Sequence, residues 1–255
     1  MIHETAIISP GAKIGNNVSV GPWTYIGPDV EIGDDCVIHS HVVIKGPSKI
    51  GKGNEFYQFS TIGEDTPDKK YAGEKTWLEM GDNNIVRENV TIHRGTVQDN
   101  GITKIGDNNL LMAYVHIAHD CVVGNNTIFA NNASLAGHVH VDDWVILAGM
   151  VGVHQFCRLG AHSFIGLDTI VLKDVPPYVM AQGSTAEPKG INSEGLKRRG
   201  YTPEQVLDIK RAYKEVYRKG NTLEEALVKL GQENDKAHVA IMKSFIEGTN
   251  RGIIR

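Results

Sequence analysis

Residues 105–171 read IGDNNLLMAYVHIAHDCVVGNNTIFANNASLAGHVHVDDWVILAGMVGVHQFCRLGAHSFIGLDTIV, and in this stretch an apolar residue returns at every sixth position. The series is Ile105, Leu111, Ile117, Val123, Phe129, Leu135, Val141, Leu147, Val153, Leu159, Ile165 and Val171. Toward the N-terminus the same beat, shifted by one residue, runs from Ile2 through Ile8, Ile14, Val20, Ile26, Ile32, Ile38, Ile44, Ile50 and Phe56 to Ile62, and resumes at Met80, Val86 and Ile92. Six-residue self-similarity marks a parallel β-helix, in which each hexad supplies one short strand and one turn and buries its apolar side against its neighbours. A second, small inward position falls four residues after each apolar one. It holds Ala6, Val18, Thr24, Val42, Ala133, Val139 and all three cysteines, Cys36, Cys121 and Cys157. These are expected to be buried structural thiols. With three hexads to a coil, Cys121 and Cys157 lie two coils apart, about 9.6 Å at a strand spacing of about 4.8 Å, which is beyond disulfide reach.

Gly often follows the apolar residue, and paired Asn recur at 16–17, 83–84, 108–109, 125–126 and 131–132. Both residue types accept positive φ, as tight corners require. Two insertions, 64–79 and 94–104, break the rhythm and are expected to form loops on the flank, where sites often lie. The pattern stops at Val175-Pro176-Pro177, and residues 178–191 read as a connector. Beyond it the period is helical. Thr202-Pro203-Glu204-Gln205 supplies an N-cap, an N1 proline and a capping-box Gln. Thr222 with Glu225 starts a second helix, and Asp235 a third that ends before Gly248. The expected organisation is mainly β: a β-helix over 1–190 and a small C-terminal helical domain over 191–255 covering its end strand.

A net charge of −4 argues against generic nucleic-acid binding. No stretch approaches the roughly 18 apolar residues of a membrane span, and Ile2 and Ile8 already keep the repeat phase, which leaves no room for a signal peptide. The expectation is a cytosolic protein without a membrane span.

Of the eleven histidines, His116, His119, His138, His140 and His154 crowd into a few coils. Stacking at 18 residues per coil puts His119, Gly137 and Gln155 in one column and Asp120 with His138 in the next, all at outward-facing positions, so that His119, His138, His154 and Gln155 line one patch. Three readings compete for this patch. It is a hydrogen-bonded surface ladder, or a zinc site, or a histidine base for acyl transfer. Zinc sites in this architecture use a close His-x4-His pair, which the chain lacks, so no metal is expected. As a base, His119 would be oriented by Asp120, and the N–H of Gly137 would face an oxyanion with no side chain in the way.

The run Ile117-Ala118-His119-Asp120-Cys121, with Leu135-Ala136-Gly137-His138-Val139 and Val153-His154-Gln155-Phe156-Cys157, resembles the acyl-carrier-protein–UDP-N-acetylglucosamine O-acyltransferase family of lipid A biosynthesis. The likeness extends to Lys70-Tyr71-Ala72-Gly73-Glu74, Thr91-Ile92-His93-Arg94-Gly95-Thr96-Val97 and Glu194-Gly195-Leu196-Lys197-Arg198-Arg199-Gly200, and covers essentially the whole chain. The resemblance implies a left-handed β-helix, a homotrimer with sites between subunits, and no cofactor beyond the phosphopantetheine of the acyl carrier protein. It implies that His119 is the general base toward the glucosamine 3-hydroxyl, Asp120 its partner and Gly137 the oxyanion donor. Asp68 and Lys70 would hold the sugar nucleotide. His116, His138, His154 and Gln155 would contact substrate or the pantetheine arm, and Asn192, Glu194, Arg198 and Arg199 would reach the nucleotide and diphosphate.

Charge points the same way. Residues 196–219 hold eight Lys/Arg against three acids, a basic face on an acidic protein that suits an acidic carrier protein. At Leu167 the family's long-chain members are expected to have Gly, so a Leu there would shorten the acyl chain accepted. The alternatives are a related acyltransferase with a different acceptor and a catalytically silent trimeric scaffold.

Overall fold

The structure is a computed structural model that describes residues 1–233 and 236–255. As far as Ile170–Val171 the chain winds through three sheets of parallel strands in strict rotation as a left-handed β-helix. The first sheet has nine strands, from Ile7–Ile8 to Ile170–Val171. The second has eight, from Lys13–Ile14 to Arg158–Leu159, and the third has ten. Register follows the 18-residue coil, with His116 beside Ser134 and Ser134 beside Gly152, and Ile117 beside Leu135 and Leu135 beside Val153. Most strands are two residues long. The second residue points inward, and Ile26, Ile44, Ile62, Leu111, Ile117, Phe129 and Leu147 are fully buried, as are all three cysteines.

Most turns place one residue in the left-handed region: Asn17, Asn83, Asn108, Asn126 and Asn132 do so, and so do Asp120, His138, Trp144 and His162. Of the Gly residues that follow the apolar one, Gly63 has the expected positive φ, 72°, but most serve a different purpose. At Gly33, φ is not positive. A Cβ there would lie 2.7 Å from the carbonyl carbon of Gly51, so close stacking of the coils, rather than a left-handed corner, excludes a side chain.

Both insertions leave the first sheet and rejoin the second. Their ends are strand, since Trp77–Met80 pairs with Ile102–Ile105 over four residues. The looped parts are therefore 65–76 and 94–101. The segment that reads as a connector is instead an antiparallel hairpin, Val179–Gln182 with Glu187–Ile191, that extends the third sheet. Among the described residues four helices follow it: α1 Ser193–Arg198, α2 Pro203–Tyr217, α3 Leu223–Gly231 and α4 Ala237–Glu247. Capping boxes at Thr202/Gln205 and Thr222/Glu225 start α2 and α3. Asp235, the expected start of the last helix, lies outside the described residues. Among the described residues no helix is long and apolar enough to cross a membrane.

Candidate active site

The prism has three corners. The first, between sheets one and two, carries both insertions and the turns at 118–121, 136–139 and 154–157. His119, Asp120, Gly137, His138, His154 and Gln155 all sit there, as the column arithmetic requires. Nδ1 of His119 donates to Oδ2 of Asp120 at 2.8 Å, and Nε2 faces Oδ2 of Asp68 at 4.0 Å across the first insertion. The ring lies directly over Gly137. A Cβ on that residue would come within 2.6 Å of His119 Cε1. Gly137 is buried, and its N–H meets no acceptor among the described residues. A backbone donor left open in this way is free to serve an oxygen of a ligand.

One expectation needs correction. Asp120 faces away from the lumen but is not on the surface: only 3% of it is exposed, because the second insertion folds over it. Thr96 donates to it twice, N–H to Oδ1 at 2.8 Å and hydroxyl to Oδ2 at 2.6 Å. Burial alone would push the Asp120 carboxyl up, but the bonds from His119 and Thr96 together outweigh it and hold the group below the usual carboxylate range. Asp99, from the same insertion, accepts from His138 Nδ1 at 2.8 Å, and the His138 ring stacks on Phe156. Thr96, Thr103 and Asp99 carry no role in the sequence reading. Spacing holds no sign that an insertion folds back, and the resemblance offered only the Thr91–Val97 run.

On the adjoining face of the first sheet, His116 bonds Thr91 Oγ1 at 2.8 Å and meets His93 edge-on. Burial lowers the pKa of both, that of His93 to about 4, so both are neutral at pH 7. Lys70 is exposed, with its backbone N–H on Asp68 Oδ1. His154 approaches Arg251 of the C-terminal tail at 3.4 Å. Burial pushes the Cys121 thiol up to about 12 and Cys157 to about 11, so neither offers a thiolate nucleophile.

The remaining residues lie elsewhere. Asn192 caps α1 and bonds the His162 carbonyl, while Arg199 stacks on Trp144, all at the second corner. Glu194 and Arg198 pair with each other on the exposed side of α1. Leu167 is 63% exposed at the third corner, with Cδ1 over Gly149. Of the basic residues between 196 and 219, Arg211 and Lys219 are paired with Asp208 and Glu215, whereas Lys197, Lys210 and Lys214 have no acidic partner among the described residues. His119, Asp120 and His138 have ligand atoms within 4.8 Å of one another. Each Nδ1 already faces a carboxylate, so a cation bound through those two nitrogens would have to displace both bonds.

Residues 174–254 match the family described as Udp N-acetylglucosamine O-acyltransferase, Domain 2, and residues 11–46 and 102–137 match the bacterial transferase hexapeptide family. The chain is 56% identical to acyl-[acyl-carrier-protein]–UDP-N-acetylglucosamine O-acyltransferase of Stutzerimonas stutzeri, over all of this chain and 99% of that one. It is 54% identical to the enzyme of the same name from Thiobacillus denitrificans, with the same coverage. Among solved structures, UDP-N-acetylglucosamine acyltransferase of Francisella novicida superposes with a TM-score of 0.98 at 44% identity, over all of this chain and 94% of that one.

Proposed function

The chain belongs to the acyl-[acyl-carrier-protein]–UDP-N-acetylglucosamine O-acyltransferases, and from that premise we propose that His119 is the general base of the transfer that opens lipid A biosynthesis. One observation carries this reading. His119 is tied through Nδ1 to an ionised, buried Asp120, and its Nε2 is turned toward Asp68 above a Gly137 amide that lacks an acceptor among the described residues. With the glucosamine 3-hydroxyl at Nε2, the base takes its proton as the oxygen attacks the thioester carbonyl of the (R)-3-hydroxyacyl donor. The carbonyl oxygen gathers charge against the Gly137 N–H. When the C–S bond breaks, the imidazolium returns the proton to the pantetheine sulfur. Asp120 stabilises the imidazolium without accepting its proton. No side chain is acylated in this sequence, and no step calls for a metal.

Asp68 and Lys70 would hold the sugar nucleotide, and His116, His138, His154 and Gln155 would contact the substrate or the pantetheine arm. The test is transfer of a radiolabelled acyl group from acyl carrier protein to UDP-N-acetylglucosamine. His119→Ala should lower kcat by about 10²–10⁴-fold with the fold retained. A variant that turns over at the wild-type rate would remove the base.

The other residues lie at separate corners of one chain, which favours a homotrimer whose clefts join the first corner of one subunit to its neighbour. An apolar ridge at the third corner, Trp23, Phe59, Tyr114, Met150 and Leu167, supports that packing. In such a cleft Asn192, Glu194, Arg198 and Arg199 would reach the diphosphate, and Leu167 would close the acyl groove below fourteen carbons. Leu167→Gly should move the preferred donor toward longer chains in a ten-, twelve- and fourteen-carbon series. Unchanged selectivity, or a monomer by sedimentation, would overturn this arrangement. Lys197, Lys210 and Lys214 form the basic face offered to the carrier protein. Three free, buried cysteines suit the reducing cytoplasm, where we place the reaction.

A further inference from the structure

Two imidazoles compete for one carboxylate at the first corner. Asp120 Oδ2 lies 2.8 Å from His119 Nδ1 and 3.9 Å from His138 Nδ1, and the two rings meet edge-on with centroids 5.0 Å apart. The final torsion of an aspartate is broad, so the backbone alone does not decide which ring its carboxylate serves. Thr96 does. Its N–H holds Oδ1 and its hydroxyl holds Oδ2, so two donors from one residue, itself 2% exposed, fix the carboxylate plane. Thr103, at the far end of the same insertion, accepts the Asp120 N–H at 2.8 Å and steadies a backbone held at φ 59°. Asp99 occupies the competing ring at 2.8 Å.

We propose that Thr96 is a positioning residue of the transfer reaction: through its hydroxyl and its N–H it commits Asp120 to His119 rather than to His138. The second insertion is thereby a fixed strap that assigns one carboxylate to each of two neighbouring histidines. The inference rests on the reading of His119 and Asp120 as the catalytic dyad. It adds that the dyad is selected by a residue that touches no substrate.

A double-mutant cycle on the full-length enzyme tests it, using kcat and KM for UDP-N-acetylglucosamine with thermal unfolding as the control for folding. Thr96→Val keeps the backbone donor and the shape but loses the hydroxyl. It should lower kcat about tenfold, as small misplacements at a reacting group do, with KM for the nucleotide within about twofold. Thr96→Ser should restore most of the rate. In an Asp120→Ala background the Val substitution should cost nothing further, because the group it positions is gone. A merely structural threonine would instead give losses that multiply across the cycle, and that result overturns the proposal, as does a Thr96→Val enzyme with unchanged kcat. If Asp120→Ala alone leaves kcat intact, the dyad itself fails and this inference goes with it. An impaired Asp120→Ala beside a silent or multiplicative Thr96→Val removes only the role of Thr96.

Discussion

The first and second corners of the prism are built from the same hexad, and they treat the same backbone groups in opposite ways. At the second corner the turn amides are closed by an outer ladder of side chains from the next coil. Asp82 Oδ1 accepts Lys52 N–H at 2.8 Å, Asp107 Oδ1 accepts Asp82 N–H at 2.6 Å, and Asn125 Oδ1 accepts Asp107 N–H at 2.8 Å. An inner ladder of Asn54, Asn84, Asn109 and Thr127 runs beneath it. At the first corner the equivalent column is His119, Gly137 and Gln155, and those amides find no acceptor among the described residues. The inner positions there, Cys121, Val139 and Cys157, are apolar. A corner that satisfies its own turns has nothing left to offer a ligand. Among the described residues the third corner leaves its equivalent amides open too, at Ala113, Asn131 and Gly149. What sets the first apart is that its open turns carry His119, His138 and His154, and that the two insertions supply from outside the order that a ladder would have given.

The sharpest way to break that contrast is Gly137→Ala. The added methyl group would stand 2.6 Å from His119 Cε1 and 2.7 Å from Nε2, and the ring would have to tilt off the Asp120 bond. We expect kcat to fall by about 10²-fold, the order seen when a reacting group is displaced by about an ångström. The binding of UDP-N-acetylglucosamine, followed by calorimetry, should change far less. A Gly137→Ala enzyme with wild-type kcat would mean that the open amide and the overlying ring are ordinary features of the repeat.

That contrast also shows what the sequence discloses. The lumen, its cysteines and the columns at 18-residue spacing follow from one inward residue in six, because register in a solenoid is fixed by burial. His119, Gly137 and Gln155 stack where the count puts them. The burial of Asp120 did not follow, because it depends on Thr96 and Thr103 returning from an insertion that has no period. The hairpin at 179–191 was also hidden. Val179 and Ala181 are buried in it while Met180 and Gln182 are not, but four residues of alternation after Pro176-Pro177 are too few to stand out from a connector. Residue roles tied to the second and third corners, such as those of Arg199 and Leu167, came from resemblance alone.

The smallest effect belongs to the closed corner, and it sets the other limit of the comparison. Asp107→Ala removes the carboxylate that accepts the Asp82 N–H, at an exposed site where water replaces part of the lost bond. The net value of such a bond is about 1 kcal/mol, which for a chain of this size corresponds to about 3 °C in Tm. Activity should be unchanged, since no residue of that ladder approaches His119. A fall in kcat matching that of Gly137→Ala would show the two corners to be mechanically coupled. A lower Tm with full activity would assign the ladder to stability alone, leaving the open turns of the first corner as the part of the repeat given over to chemistry.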